Sequence, residues 1–228
     1  MLKFYYHPLS PIARRVWIVL LEKQIPHQPI VVDLAAREHL KPEFLAINPF
    51  HHVPAIVDGD LRVIESIAIM DYLELRYPSP ALIPNHPAAS AKMRMVQMIT
   101  TNELMPNFIP IINAAHQPIP NAVQKRLTTA WQFLEDELQD QKYFGGGGVI
   151  SPSENCLNLG DIVAGATVPL FHRLGLSLAD YPRLDAWRQR IEERPAWQQT
   201  RPDEESFQRW QRWIQLQIER KTKSLVRG

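Results

Sequence analysis

Ser10 stands directly before Pro11, at the head of a run whose apolar residues recur at helical spacing. Its hydroxyl therefore sits at the positive end of a helix. As a plain N-cap it would satisfy one free backbone N–H and contribute about 1 kcal/mol. The same position favours an anion, and a ligand thiolate held there could accept a hydrogen bond from the hydroxyl. An unperturbed thiol has a pKa of about 8.5, so lowering it by about two units needs only ~2.7 kcal/mol of preferential thiolate stabilisation. A hydroxyl donor plus a helix terminus can supply an effect of that size.

Three other groups of residues have chemistry of the same kind. Val53-Pro54 reads either as a trans proline opening an edge strand, or as a cis bond that turns the Val53 backbone toward an extended ligand. Glu65-Ser66 precedes a helix. Ser66 is an acceptable N-cap, but a helix N-terminus and a hydroxyl also bind a carboxylate, and Glu65 beside them can take an ammonium. His39 and His52, with Lys41, could hold a second carboxylate at the far end of the same ligand. No His/Cys cluster has metal-ligand spacing, so no metal is expected. No G-x-S-x-G elbow is present for a nucleophilic serine.

These side chains need elements to hold them. Lys3–Tyr6 reads as a strand, Pro11 to about Lys23 as a helix, and Ile30–Val32 as a second strand, giving a parallel βαβ unit. "KPEFLAINP" reads as a short irregular helix ending at Asn48-Pro49. Ala55–Val57 and Leu61–Ile64 form a hairpin around the Asp58-Gly59 turn, and Ser66–Leu75 is a helix. The order β-α-β-α-β-β-α is a small mixed sheet flanked by helices.

Tyr77–Pro87 holds four prolines in eleven residues, which stiffens the chain and stops helices. Only helices are expected beyond it, at about 88–115, 121–139, 159–174, 181–194 and 203–221. Pro106 and Pro110 should kink the first, and the basic tail from Lys221 should fray. Gly145–Gly148 lacks the Lys-Ser/Thr ending of a phosphate loop. Asn158 and Asp161 have capping-box spacing, and Leu157 and Ile162 stand where a hydrophobic staple would form. That signal is structural, and Asp161 need not be catalytic.

Composition narrows the function classes. The 228 residues suffice for one large or two modest domains, and 45% of them are hydrophobic, enough for a real core. A net charge of +1 predicts no broad field for nucleic acid or an anionic membrane. The single cysteine, Cys156, cannot form an internal disulfide, which fits a reducing cytosol. No run reaches the ~18 apolar residues of a membrane span, and the first residues lack a signal peptide's apolar segment.

"HPLSPIARRV", "NPFHHVPAIVDGDLRVIESIAIMDYL" and "LNLGDIVAGATVPLF" together resemble the cytosolic glutathione S-transferases over nearly the whole chain. The resemblance implies a thioredoxin-like α/β N-terminal domain (1–78), a linker (79–87) and an all-α C-terminal domain (88–228). It also implies a homodimer that binds glutathione mainly through the N-terminal half, with an apolar electrophile as second substrate. Ser10 matches the catalytic serine of the theta- and phi-like classes. Val53, before a cis Pro54, matches the residue that pairs with the cysteinyl part of glutathione. Glu65 and Ser66 match the pair holding the γ-glutamyl head. His39, nine residues before Asn48, matches the histidine on the glycine carboxylate, and His52 replaces the usual Lys or Gln. Tyr6 sits close to the hydroxyl of the tyrosine classes, but the spacing to Arg14, Arg15 and Val16 follows the serine pattern. Leu9, Ile12, Met105, Phe108, Ile109 and Ile112 are candidates for the co-substrate pocket, with core packing as the plainer alternative for each. A non-catalytic carrier or scaffold of this fold, and a glutathione-dependent isomerase or peroxidase, stay open as alternatives.

Overall fold

The chain is described by a computed structural model over residues 1–114, 118–144 and 157–225, with side chains to Leu216. Gly145–Gly148 and Cys156 lie outside the described residues. Four strands form one mixed sheet in the order β2-β1-β3-β4, from β1 (Leu2–Tyr6), β2 (His27–Val31), β3 (Ala55–Asp58) and β4 (Leu61–Ile64). β1 and β2 are parallel, while β1–β3 and β3–β4 are antiparallel. α1 (Pro11–Glu22) makes the crossover, α2 (Pro42–Leu45) is one short turn after a 3-10 turn at Glu38–Leu40, and α3 (Ser66–Arg76) follows the hairpin. This is a thioredoxin-like βαβαββα domain.

β2 begins three residues before the start expected from sequence and contains Pro29. The sheet order explains why: β2 is an edge strand, where a missing N–H on the open side breaks no ladder.

The rest is helical: α4 (Pro87–Ile99), α5 (Phe108–Ala114), α6 (Asn121–Leu138), α7 (Leu159–Arg173), α8 (Pro182–Glu192), α9 (Pro195–Thr200) and α10 (Glu204–Leu225). The expected kink after α4 is a full interruption. A π turn at Thr100–Leu104 and a 3-10 turn at Met105–Asn107 separate α4 from α5. Pro106 cannot share a turn with the carbonyl four residues back, at Asn102, and the π turn lies over that position. Pro195 opens α9, which the periodicity does not reveal, and α10 runs on to Leu225 through the tail expected to fray.

α1 packs on both domains. It meets α3 below and α7 and α9 above. Val16, Ile18, Val19 and Leu20 are fully buried in a core that extends to Ile162, Trp187 and Phe207. Its charged residues also cross over: Glu22 takes a two-pronged ion pair from Arg194 at 2.7 and 2.9 Å. The connecting segment is held rather than free. Buried Lys23 donates to the carbonyls of Tyr77 and Pro80 and pairs with Glu74 at 2.7 Å, while Glu74 accepts from the Leu82 and Ile83 N–H groups. Among the described residues no helix is long and apolar enough to cross a membrane.

Candidate functional site

The strand register brings three of the sequence-predicted segments to one edge of the sheet. Tyr5 pairs with Ala55, and Ala55 pairs with Ile64. The loop leaving β1, the residues before β3 and the residues after β4 therefore stand in a row. Ser10 follows the first, Val53-Pro54 is the second, and Glu65-Ser66 is the third. Neighbouring strands lie about 4.8 Å apart, so the row spans about 10 Å, the reach of three extended residues.

Ser10 is the N-cap of α1. Its Oγ accepts from the Ala13 N–H at 3.2 Å, and its own N–H donates to the His7 carbonyl at 2.9 Å. His7 also steadies the loop by accepting the Leu9 N–H on Nδ1 at 3.2 Å. The cap bond uses one lone pair of the hydroxyl and leaves its proton free to donate. Capping and thiolate binding are thus compatible at this residue. Tyr6 is different. It is buried, stacked on Phe4 at 4.8 Å and beside Trp17, and burial pushes its hydroxyl pKa up, which makes it a weaker hydrogen-bond donor.

The Val53–Pro54 bond is cis. Val53 lies just outside the paired register, which starts at Ala55. The loop before it is held by Asn48, itself buried, which donates from Nδ2 to the His52 carbonyl at 2.7 Å and accepts the Phe50 N–H at 3.0 Å. Glu65, not Ser66, is the N-cap residue of α3. It takes φ 67° and leaves its side chain exposed, while Ser66 at the first helical position is buried.

His39 lies within electrostatic reach of His51, His52 and Arg37. Burial first, then these cations, lower its pKa, and its Nδ1 is buried without a partner. Lys41 stands apart from this group. It pairs with Glu38 at 3.4 Å and lines a separate depression of about 470 Å³ with Tyr5, Ile30 and Phe44. No three His, Cys, Asp or Glu side chains among the described residues are grouped to hold a metal ion.

A narrow cleft opens beside Ser10, between the domains. Pro8, Leu9, Pro11 and Arg14 form one wall; Ala166, Pro169, Leu170 and Arg173 of α7, Glu192, Arg201, Pro202, Phe207 and Trp210 form the other.

Residues 4–81 match the family described as glutathione S-transferase, N-terminal domain. "Glutathione S-transferase 3" of Zea mays is 32% identical over 211 residues, covering 87% of this chain and 92% of that protein. The chain belongs to the glutathione S-transferase family. A delta-class glutathione transferase structure from Nilaparvata lugens superposes with a TM-score of 0.78 at 24% identity, covering 95% of this chain and 99% of that one. A glutathione transferase homologue from Drosophila mojavensis, solved with bound glutathione, gives 0.73 at 27% identity, covering 87% and 94%.

Of the six co-substrate candidates in this glutathione S-transferase, only Leu9 lines the cleft. Phe108 and Ile112 are core residues; Phe108 packs edge-on to Phe171 and against Trp210, one layer behind the cleft. Ile109 is exposed, Ile12 is half-buried, and the Met105 sulfur receives the Thr167 hydroxyl at 3.7 Å. Sequence reasoning missed His7, the positioning role of Asn48, and the arginines and aromatics of the cleft. Asn48 was within reach, since it opens the quoted motif. The cleft residues come from four separate helices and loops and share no local spacing.

Proposed function

We propose that this chain is a glutathione transferase. The observation that carries this reading is the row of polar groups along one sheet edge, about as long as an extended tripeptide. In it Glu65 and Ser66 hold the γ-glutamyl ammonium and carboxylate at the α3 N-terminus. The Val53 backbone pairs with the cysteinyl residue, and His39, with His52, takes the glycine carboxylate. Ser10 donates to the sulfur and lowers its pKa, and the thiolate then attacks an electrophile held in the cleft. The glutathione bound to the Drosophila mojavensis relative supports the ligand assignment.

The test is the thiol pKa of bound glutathione, read from thiolate absorbance in wild type and Ser10→Ala. We expect the variant's value to rise toward the free value of about 8.5. Equal values would leave Ser10 as a helix cap alone. Two copies are expected to assemble. The exposed Phe50, Leu75, Met95 and Met98 support this, and light scattering measures it.

A further inference from the structure

The cleft beside Ser10 is unbalanced in charge. Arg14, Arg173 and Arg201 line it with a single carboxylate, Glu192. Glu192 is already engaged by Arg188 on its own helix and meets Arg201 only at 3.9 Å. Arg188 is shared in turn with Asp185. Arg173 pairs with Glu204 at 2.8 Å, donates to the Pro202 carbonyl, and lies 4.0 Å over the Phe207 ring.

Among the described residues Arg14 has no carboxylate in contact. Its Nε donates to Thr200 Oγ1 at 3.0 Å and its Nη2 to the Trp197 carbonyl at 3.1 Å, both neutral acceptors. Burial lowers its pKa to about 10; Glu192 opposes the shift, while Arg173 and Arg201 add to it. Burial is the main cause, so an anion placed against this guanidinium would favour its charged form. Apart from Ser10, the rest of the lining is apolar or aromatic and includes Phe207 and Trp210.

We propose that this cleft selects electrophiles carrying a carboxylate, with Arg14 and Arg201 receiving the carboxylate and Phe207 and Trp210 covering the apolar body. The proposal rests on the transferase reading above. Free space in the cleft is about 30 Å³, so a ring enters only as the cleft widens, and Arg201, whose side chain is exposed, then meets the carboxylate. Arginine suits this task because its planar fork meets a carboxylate with two parallel bonds.

The experiment compares para-chloro-meta-nitrobenzoate with its methyl ester, each with glutathione. In both, the thiol proton has passed to solvent, sulfur bonds to the ring carbon that bears chlorine, and the C–Cl bond breaks as chloride leaves with the electron pair. Each kcat/KM is divided by the uncatalysed rate constant, which removes the intrinsic difference in reactivity. The normalised preference for the acid should be about tenfold in wild type, the size of one charge-assisted hydrogen bond. It should fall about threefold in Arg201→Gln, where an exposed cation is lost. It should vanish in Arg14→Gln. Arg14 bridges two domains, so Arg201→Gln keeps the test decisive if Arg14→Gln does not fold. A wild-type preference at or below unity, with the ester still conjugated, overturns charge selection and leaves the transferase standing. A preference that survives Arg201→Gln and Arg14→Gln also overturns it. If neither compound is conjugated and glutathione resin fails to retain the protein, both readings fall.

Discussion

Ser10 at the head of α1 and Asn158 at the head of α7 perform the same local task with different capacity left over. Ser10 accepts one N–H and keeps its hydroxyl proton, at a half-exposed position on the wall of a cleft. Asn158 is buried and has little to spare. Its Oδ1 accepts from Gly160 and Asp161, its Nδ2 donates to the Phe144 carbonyl, and its N–H donates to Asp161 at 3.0 Å. Asp161 also accepts from the Phe144 N–H at 3.0 Å and from Trp187 Nε1 at 2.8 Å, so its two oxygens serve three donors. Burial pushes its carboxyl up to about 7, against the pull of those donors. Residue type does not separate the two caps. Unused hydrogen-bonding capacity facing a cleft does.

The largest effect expected from this contrast is at the saturated cap. Asp161→Ala strands three buried N–H donors and should cost about 3–5 kcal/mol of stability. Denaturant midpoints measure it. In the folded fraction the thiol pKa of bound glutathione should stay at the wild-type value, and a shift there would break the contrast. Next comes Ser10→Ala, with the opposite signature. It should raise the bound thiol pKa by about two units, equivalent to ~2.7 kcal/mol. Its stability should fall by only about 1 kcal/mol, the worth of an exposed cap. A larger stability loss without a pKa change would make Ser10 a second Asn158.

The saturated cap was legible in the sequence because a capping box is local: Asn158 and Asp161 are three residues apart and their partners are mostly backbone. The grouping of Val53-Pro54 and Glu65-Ser66 at one end of the strands was legible for a related reason. Its parts sit at element ends, and a four-strand register leaves few ways to arrange them. The cleft was not legible. Phe108 and Ile112 are apolar residues on a helix that could face a core or a cavity, and periodicity gives the face without its neighbour. Here that neighbour is Phe171 for Phe108, and the cleft falls one layer further out. The surroundings of Lys41 are equally hard to read: it lies two residues from His39, yet it pairs with Glu38 and lines a depression whose lining does not include His39.

Glu65 offers a sharper version of the contrast, because there function and local stability pull apart. Its φ of 67° lies where a residue with a Cβ is disfavoured and glycine is not. Glu65→Gly should relieve that backbone and gain about 1 kcal/mol of stability. It should also weaken glutathione binding about tenfold, the loss of one charged hydrogen bond. Calorimetric titration with glutathione, beside thermal unfolding, reads both. If stability drops along with affinity, Glu65 is structural like Asn158 rather than a site residue held at a local cost.

The smallest expected effect concerns His39 and follows from sign. Burial and the charges of His51, Arg37 and His52 hold its pKa below the ordinary imidazole value of about 6.5. A bound glycine carboxylate acts in the other direction and raises it, so binding is coupled to proton uptake. The added affinity is therefore present at acidic pH and lost as pH rises through the pKa of the complex. S-methylglutathione is the suitable ligand, since it has no ionisable thiol and its carboxylates stay charged above about pH 5. Its affinity should rise about threefold between about pH 8 and pH 5, the modest scale of a solvent-exposed ion pair. His39→Gln should reduce the slope. An affinity that is flat in wild type, or that rises with pH, would remove the histidines from the carboxylate and shorten the proposed row of contacts to the sheet edge itself.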